Sequence, residues 1–202
     1  DSIVLETLNE KMTVIGGIPS WVQMYFEKII SKTGKKINKV FPEFSLFIHG
    51  GVNFEPYQKM FDNLIGKKIN SIELYPSSEG FIAYQDRLNE GGLLLLLNSG
   101  IFYEFVESDK FFDSDPIIIS LKDIKIGVNY VIILSSNAGL WSYNIGDTIR
   151  FISKKPYRIV VTGRIKHFIS AFGEHVIGKE VETAIKLSLI HIYEPTRPLI
   201  IS

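Results

Sequence analysis

The stretch KINSIELYPSSEGF, residues 68–81, decides the reading of the fold. Its first half alternates apolar and polar residues as a strand does, and it delivers a Pro-Ser-Ser-Glu-Gly turn at the strand's carboxyl end. Just upstream, residues 45–49 read as a short strand ending at Gly50 and Gly51. EPYQKMFDNLIGK comes next as a helix with Pro56 in its first turn. Strand, glycine turn, helix and strand in this order predict an α/β arrangement, and in open α/β sheets ligands gather at the carboxyl ends of the strands. A site is therefore expected around residues 75–80.

Further upstream, SWVQMYFEKIISKTGK at 20–35 predicts an amphipathic helix that starts at Pro19 and stops at Gly34. Trp21, Met24, Tyr25 and Ile29 lie at near-helical spacing. Downstream of about residue 80 the character changes. GFIAYQD, LLLLL, IFYEFVE, PIIISL, YVIILSS, LWSYNIG, TIRFIS and RIVVTGR are short β-like runs separated by Gly, Asn and Asp, which predicts a small barrel or mixed β-subdomain. After Gly163-Arg164 the pattern returns to α/β, with HFISAF as a strand, Gly173 as a turn and KEVETAIK as a helix.

Composition narrows the function classes. The chain has 202 residues, 46% of them apolar, with 22 basic and 22 acidic side chains and no cysteine. Balanced charge without a lysine-arginine block argues against nucleic acid and against a membrane surface as partners. The apolar runs at 93–97 and 131–134 are too short to span a bilayer. Without cysteine there are no disulfides, thiol nucleophiles or zinc-thiolate sites, and a cytoplasmic protein is expected. The four histidines, His49, His167, His175 and His191, show no metal-ligand spacing.

Chemistry is concentrated in three segments: LYPSSEGF at 74–81, YNIGDTIRF at 143–151 and GRIKHFISAFGEHVIGKEVE at 163–182. Taken singly each has a plain alternative: a capped Ser-Glu turn, an Asp in a β-turn after Gly146, a surface arginine. In this order they can build one nucleotide site. Together with GGIPSW at 16–21, FIHGGVNFEPY at 47–57 and IFYEFVE at 101–107, they resemble the auxin-responsive Gretchen-Hagen family of acyl-acid amido synthetases, over roughly residues 1–186. That family is part of the adenylate-forming superfamily, which also holds acyl-CoA ligases, luciferases and nonribosomal adenylation domains.

The resemblance implies a partial adenylate-forming fold: a mixed sheet with helices, a small β-barrel-like subdomain, and the start of a small C-terminal α+β domain. Residues 1–163 would be the C-terminal part of the large domain, its β-rich subdomain covering about 80–163, and 164–186 the start of the small one. It implies ATP-dependent activation of a small carboxylic acid as acyl-adenylate, with Mg2+, and transfer to an amine such as an amino acid. Glu79 would ligate magnesium, as a hard cation prefers a carboxylate oxygen. Ser78 would hydrogen-bond the α-phosphate, with Ser77 beside it. Asp147 would accept from both ribose hydroxyls, and Arg164 would reach the ribose or phosphate. Gly50 and Gly51 would let backbone lie against the adenine, with Tyr75 stacking on it. Lys166 falls at the superfamily's hinge. Glu104 and Trp21 would border the acyl pocket, although a strand glutamate and a core tryptophan are the commoner fates.

Two departures from the family pattern stand out. The Ser/Thr/Gly-rich phosphate loop expected upstream and the late lysine of the small domain do not occur in this sequence. The chain is accordingly read as an internal piece of a longer enzyme, inactive by itself. LSLIHIYEPTRP at 187–198 resembles a translated sequencing adapter, so residues 187–202 are set apart as a non-native tail; a strand with a Pro-bounded end is the alternative. Two other functions stay open: an acyl-CoA or other thioester ligase of the same superfamily, and a non-catalytic nucleotide-binding protein.

Overall fold

The structure is a computed structural model and describes residues 2–88, 90–165, 169–171 and 174–176. Contacts divide the chain into two units, residues 1–101 with 152–159, and residues 102–151 with 160–202.

In the first unit the helix expected after Pro19 forms over Pro19–Thr33 (α2), preceded by a short helix, Ser2–Thr7 (α1), and a strand, Val14–Gly16 (β1). Proline sits in the first turn, where its missing N–H costs nothing. Gly34 ends the helix in the left-handed conformation, φ 66°, with its N–H on the Ile30 carbonyl at 2.8 Å. The buried face differs from the expected one. Val22, Phe26 and Ile29 point into the core, whereas Trp21 and Met24 are 69% and 62% exposed. Two apolar stripes run side by side on this helix. The core takes the one carrying Phe26, whose ring meets Phe44 at 5.7 Å and Phe61 at 5.8 Å edge to face.

A short helix, Ile37–Val40 (α3), leads to Leu46–Gly50 (β2), one residue later than expected. The expected second helix begins as a 3₁₀ turn at Glu55–Tyr57, with Asn53 Oδ1 accepting the Glu55 N–H, and continues as Gln58–Ile65 (α4). Then come Asn70–Ser77 (β3), Gly80–Tyr84 (β4) and Leu93–Leu95 (β5). β1, β2 and β3 are parallel; β4 and β5 are antiparallel, and residues 158–159 of Tyr157–Arg164 (β10) pair antiparallel to β5. The sheet is mixed, as the sequence predicts. Phe47 and His49 alternate inward along β2 against Phe54 and Phe61, so strand period and helix stripe meet in one aromatic core.

Arg158 on β10 clamps Asp86, just past β4, with two hydrogen bonds of 2.6 and 2.9 Å. These bonds hold the Asp86 carboxyl below its usual range, so the stability they supply is present at neutral pH and is lost as pH falls through that lowered value. The arginine side chain is 8% exposed and the aspartate 22%. Asp86→Ala, which strands a buried guanidinium, should cost about 2 kcal/mol. Arg158→Met should cost less, because water can reach the carboxylate. Urea midpoints of the two variants check the order; a larger loss in Arg158→Met would contradict it.

The second unit is built from strands: Ile101–Glu107 (β6, from Phe102 onward), Ile119–Ser120 (β7), Asn129–Ser136 (β8), Tyr143–Lys154 (β9) and the end of β10, in the order β10-β9-β8-β6-β7. Phe105, Tyr130 and Phe151 form its aromatic centre, with Phe105 and Phe151 5.2 Å apart. LWSYNIG and TIRFIS, expected as two strands, are one. Val131 pairs with Thr148 and Ile133 with Asn144, so Ile145, Gly146 and Asp147 stand opposite Ile132 alone. Gly146, at φ 83°, makes a bulge there instead of a break. Beyond residue 165 two short antiparallel strands are described, Ile169–Ala171 (β11), within the expected HFISAF strand, and Glu174–Val176 (β12); the expected turn at Gly173 lies outside the described residues. The KEVETAIK helix, most of the expected small domain and the tail at 187–202 lie outside the described residues.

Candidate functional site

In the first unit, the carboxyl ends of the parallel strands β2 and β3 carry Gly50, Gly51, Tyr75, Ser77, Ser78 and Glu79. Gly50 pairs with Leu74, and a Cβ placed on it would lie 2.5 Å from the Leu74 carbonyl oxygen and 3.3 Å from Pro76 Cδ. Gly51 has nothing closer than 4.0 Å but sits at φ 81°. The two glycines are thus required for different reasons, one by space and one by backbone conformation. Gly50→Ala should cost about 2 kcal/mol, since backbone cannot yield, and Gly51→Ala about 1 kcal/mol. Thermal unfolding of both variants checks the ranking, which equal losses would refute.

Ser77 pairs with Gly80 across a two-residue loop, Ser78-Glu79, and its hydroxyl donates to the Gly80 carbonyl at 3.1 Å. Ser78 is exposed and Glu79 half-buried at the tip. Neither has positive φ, so this is not one of the primed hairpin turns whose twist suits the strands; the register shift opposite Ile82 adds twist. Tyr75 is buried in this hairpin beside Ala83. Among the described residues no three carboxylate or imidazole groups converge as a metal cage. A lone carboxylate at a loop tip fits Mg2+, which takes one or two protein oxygens and completes its shell with phosphate oxygens and water.

In the second unit the structure brings together Asp147 and Arg164, 17 residues apart in sequence. Arg164 Nε donates to Asp147 Oδ1 at 2.7 Å, with the aspartate largely buried and the arginine exposed. The bulge produces this meeting by re-aiming Asp147 on β9 toward the end of β10. Asn144 Oδ1 accepts the Gly146 N–H at 2.8 Å and locks the bulge, while Thr162 and Thr148 hydroxyls bond across the strands at 3.0 Å. Sequence reasoning misses Asn144, though an Asn two residues before a Gly is an Asx-turn signal. It misses Arg158 and Asp86 too, and nothing local marks a pair 72 residues apart. Lys166 lies outside the described residues, as does His167. Trp21 is exposed at the start of α2, and Glu104 is half-buried on β6.

Residues 94–164, which hold β6 to β10 with Asp147 and Arg164, match the GH3 family central domain. The match is to a GH3-family segment and covers these residues alone. GH3 is the Gretchen-Hagen family that the motifs resemble. Among solved structures, the chain is similar to the GH3.15 acyl acid amido synthetase, with a TM-score of 0.70, 14% identity, and coverage of 94% of this chain and 43% of that one. It is also similar to 2-hydroxyisobutyryl-CoA ligase in an open conformation with 2-HIB-AMP and CoA, at TM-score 0.66 and 12% identity over 92% of this chain and 44% of that one. ATP-bound MatB from Rhodopseudomonas palustris gives 0.59 and 15%, over 92% and 37%. The chain spans about two fifths of the length of these proteins. At such identities the likeness is one of fold, and the fold is that of adenylate-forming enzymes. No helix among the described residues is long and apolar enough to cross a membrane.

Proposed function

We propose that the GH3 segment belongs to an enzyme that activates a small carboxylic acid with ATP and transfers the acyl group to an amine. In the first half, a carboxylate oxygen attacks the α-phosphorus of ATP and pyrophosphate leaves, giving the acyl-adenylate. In the second, the amine nitrogen attacks the acyl carbon, AMP leaves, and the nitrogen loses a proton as the amide forms.

The observation that carries this reading is the Asp147–Arg164 pair, set on the bulge of β9 inside the family-matched segment. A largely buried carboxylate beside a guanidinium offers acceptors and donors in the arrangement a ribose diol needs. Arg164 would hold the carboxylate in orientation until the hydroxyls arrive. At the β3–β4 hairpin, Ser78 would donate to the α-phosphate, with Ser77 bracing the turn. Glu79 would hold Mg2+, whose charge offsets that of the phosphates. Gly50 and Gly51 would leave room for the base, and Lys166 would pivot the small domain between steps.

The reading is tested by carboxylate-dependent ATP–pyrophosphate exchange with a panel of small organic acids, using the chain extended to the length of its structural relatives. Exchange that requires an acid is expected. Asp147→Ala, removing two charge-assisted hydrogen bonds worth about 3 kcal/mol together, should lower it about 100-fold. An acid-independent signal, or an unaffected variant, would refute the assignment. The second reading, a thioester ligase, is favoured by the likeness to 2-hydroxyisobutyryl-CoA ligase. Release of the acyl group to coenzyme A and not to amino acids would select it.

A further inference from the structure

Charge that balances over the whole chain does not balance over the first unit. The loops that follow α2 and α4 meet at the amino ends of β2 and β3. There Asn38 Nδ2 donates to the Gly66 carbonyl at 3.0 Å and Lys67 Nζ to the Pro42 carbonyl at 2.9 Å. The Lys36 side chain lies over Gly66, its Cδ 2.8 Å from where a Cβ would stand. Residues 32–45 and 62–70, which build this end, carry six lysines against two carboxylates, Glu43 and Asp62, a surplus of four in a chain of net charge zero. Helix ends account for part of it. The carboxyl ends of α2 and α4 each carry about half a negative charge, which together offset about one of the four. Extension of the chain does not of itself cover such an end, because lysine is almost never buried without an opposite charge.

The same end holds a cleft of about 480 Å³, walled by Lys67, Lys68, Gln58, Asp62, Ser45 and Asn70. Its volume falls within the range of small-molecule sites. Lys67 spends one of its three N–H donors on Pro42 and keeps two, and Gln58 and Asn70 add neutral amide donors. No arginine stands in either segment. Lysine acts as a point charge and suits phosphate groups, whereas a lone carboxylate favours the arginine fork. The cleft opens at Asn70, and Ser77 stands seven residues further along β3, a separation of about 23 Å. One triphosphate cannot reach both places.

We propose that this cleft, with Lys36 beside it, is a second anion site on the first unit and takes a ligand bearing several phosphate groups. It is separate from the nucleotide site proposed above and does not depend on the adenylation chemistry.

Isothermal titration of the chain with inorganic tripolyphosphate should show saturable binding that weakens as salt is raised. Lys36→Gln and Lys68→Gln should each weaken it about fivefold, and so should Gln58→Glu, which adds a negative charge to the cleft wall, with an unchanged circular dichroism spectrum. Lys122→Gln removes the same charge from the second unit and should leave the affinity as it is. No saturable binding, an equal loss in Lys122→Gln, or full affinity in Gln58→Glu would overturn the proposal. In the chain extended to the length of its structural relatives the binding should persist. Its loss there would mean that a further segment fills the cleft, and would overturn the proposal as well. Absence of acid-dependent exchange, with tripolyphosphate binding intact, would sink the adenylation reading and leave this site standing.

Discussion

Phe26→Ala is expected to destabilise the first unit by about 4 kcal/mol. The side chain is fully buried on α2, in edge contact with Phe44 and Phe61, and packs in a cluster with Ile29, Phe41, Phe47 and Ile65. Truncation removes the transfer energy of a benzyl group and leaves a void that three surrounding elements cannot close, the range for such changes being about 3–5 kcal/mol. Trp21→Phe, one turn earlier on the exposed stripe, should stay within about 0.5 kcal/mol. Urea unfolding followed by helical circular dichroism reports on the first unit, in which the described α-helices, α1 to α4, all lie. Comparable losses in the two variants would mean that α2 is rotated from the orientation described.

Stability of the first unit should also fall on mild acidification, through His49. Its ring is 6% exposed, packed 5.3 Å from Phe47 and 4.5 Å from Phe54, and Nδ1 has no hydrogen-bond partner. Burial pushes its pKa down from 6.5 to about 4. The unfolded chain therefore takes up a proton near pH 6.5 that the folded chain refuses until about pH 4. The stability contribution is complete above pH 6.5 and is lost as pH falls through that window, by about 2 kcal/mol between pH 7 and 5 and about 3 kcal/mol near pH 4. Glu73, in register with His49 on β3, has the opposite sign, since burial raises its carboxyl pKa and its contribution declines as pH rises. Comparing the pH dependence of unfolding in the wild type and His49→Phe cancels Glu73 and other shared groups. Parallel curves would refute the role of the histidine.

Local chemistry made much of this architecture readable. Pro19 and Gly34 bracket α2 because a missing N–H and a left-handed residue are tolerated only at helix ends. The alternation in residues 70–75 pointed to β3, and the run of short β segments anticipated the strand-rich second unit. The same reasoning failed where two local answers were equally good. Nothing in residues 20–35 says which of two adjacent apolar stripes is buried; that depends on Phe44 and Phe61, which come later in the chain. Gly146 reads as a strand break, and it is a bulge because β8 continues to pair on both sides of it.

The sequence by itself determined the two ends of α2, the mixed α/β character, and which residue types are available for nucleotide chemistry. Those features depend on hydrogen bonds and side-chain preferences spanning a few residues. Only the tertiary structure decided that Asp147 meets Arg164, that Arg158 is buried against Asp86, that His49 is enclosed by phenylalanines, and that the Ser142 hydroxyl reaches Glu104. Each of these joins segments 17 to 72 residues apart or sets a face by its packing partner. Contact energies of that kind belong to pairs, and a single residue's place in the chain does not carry them.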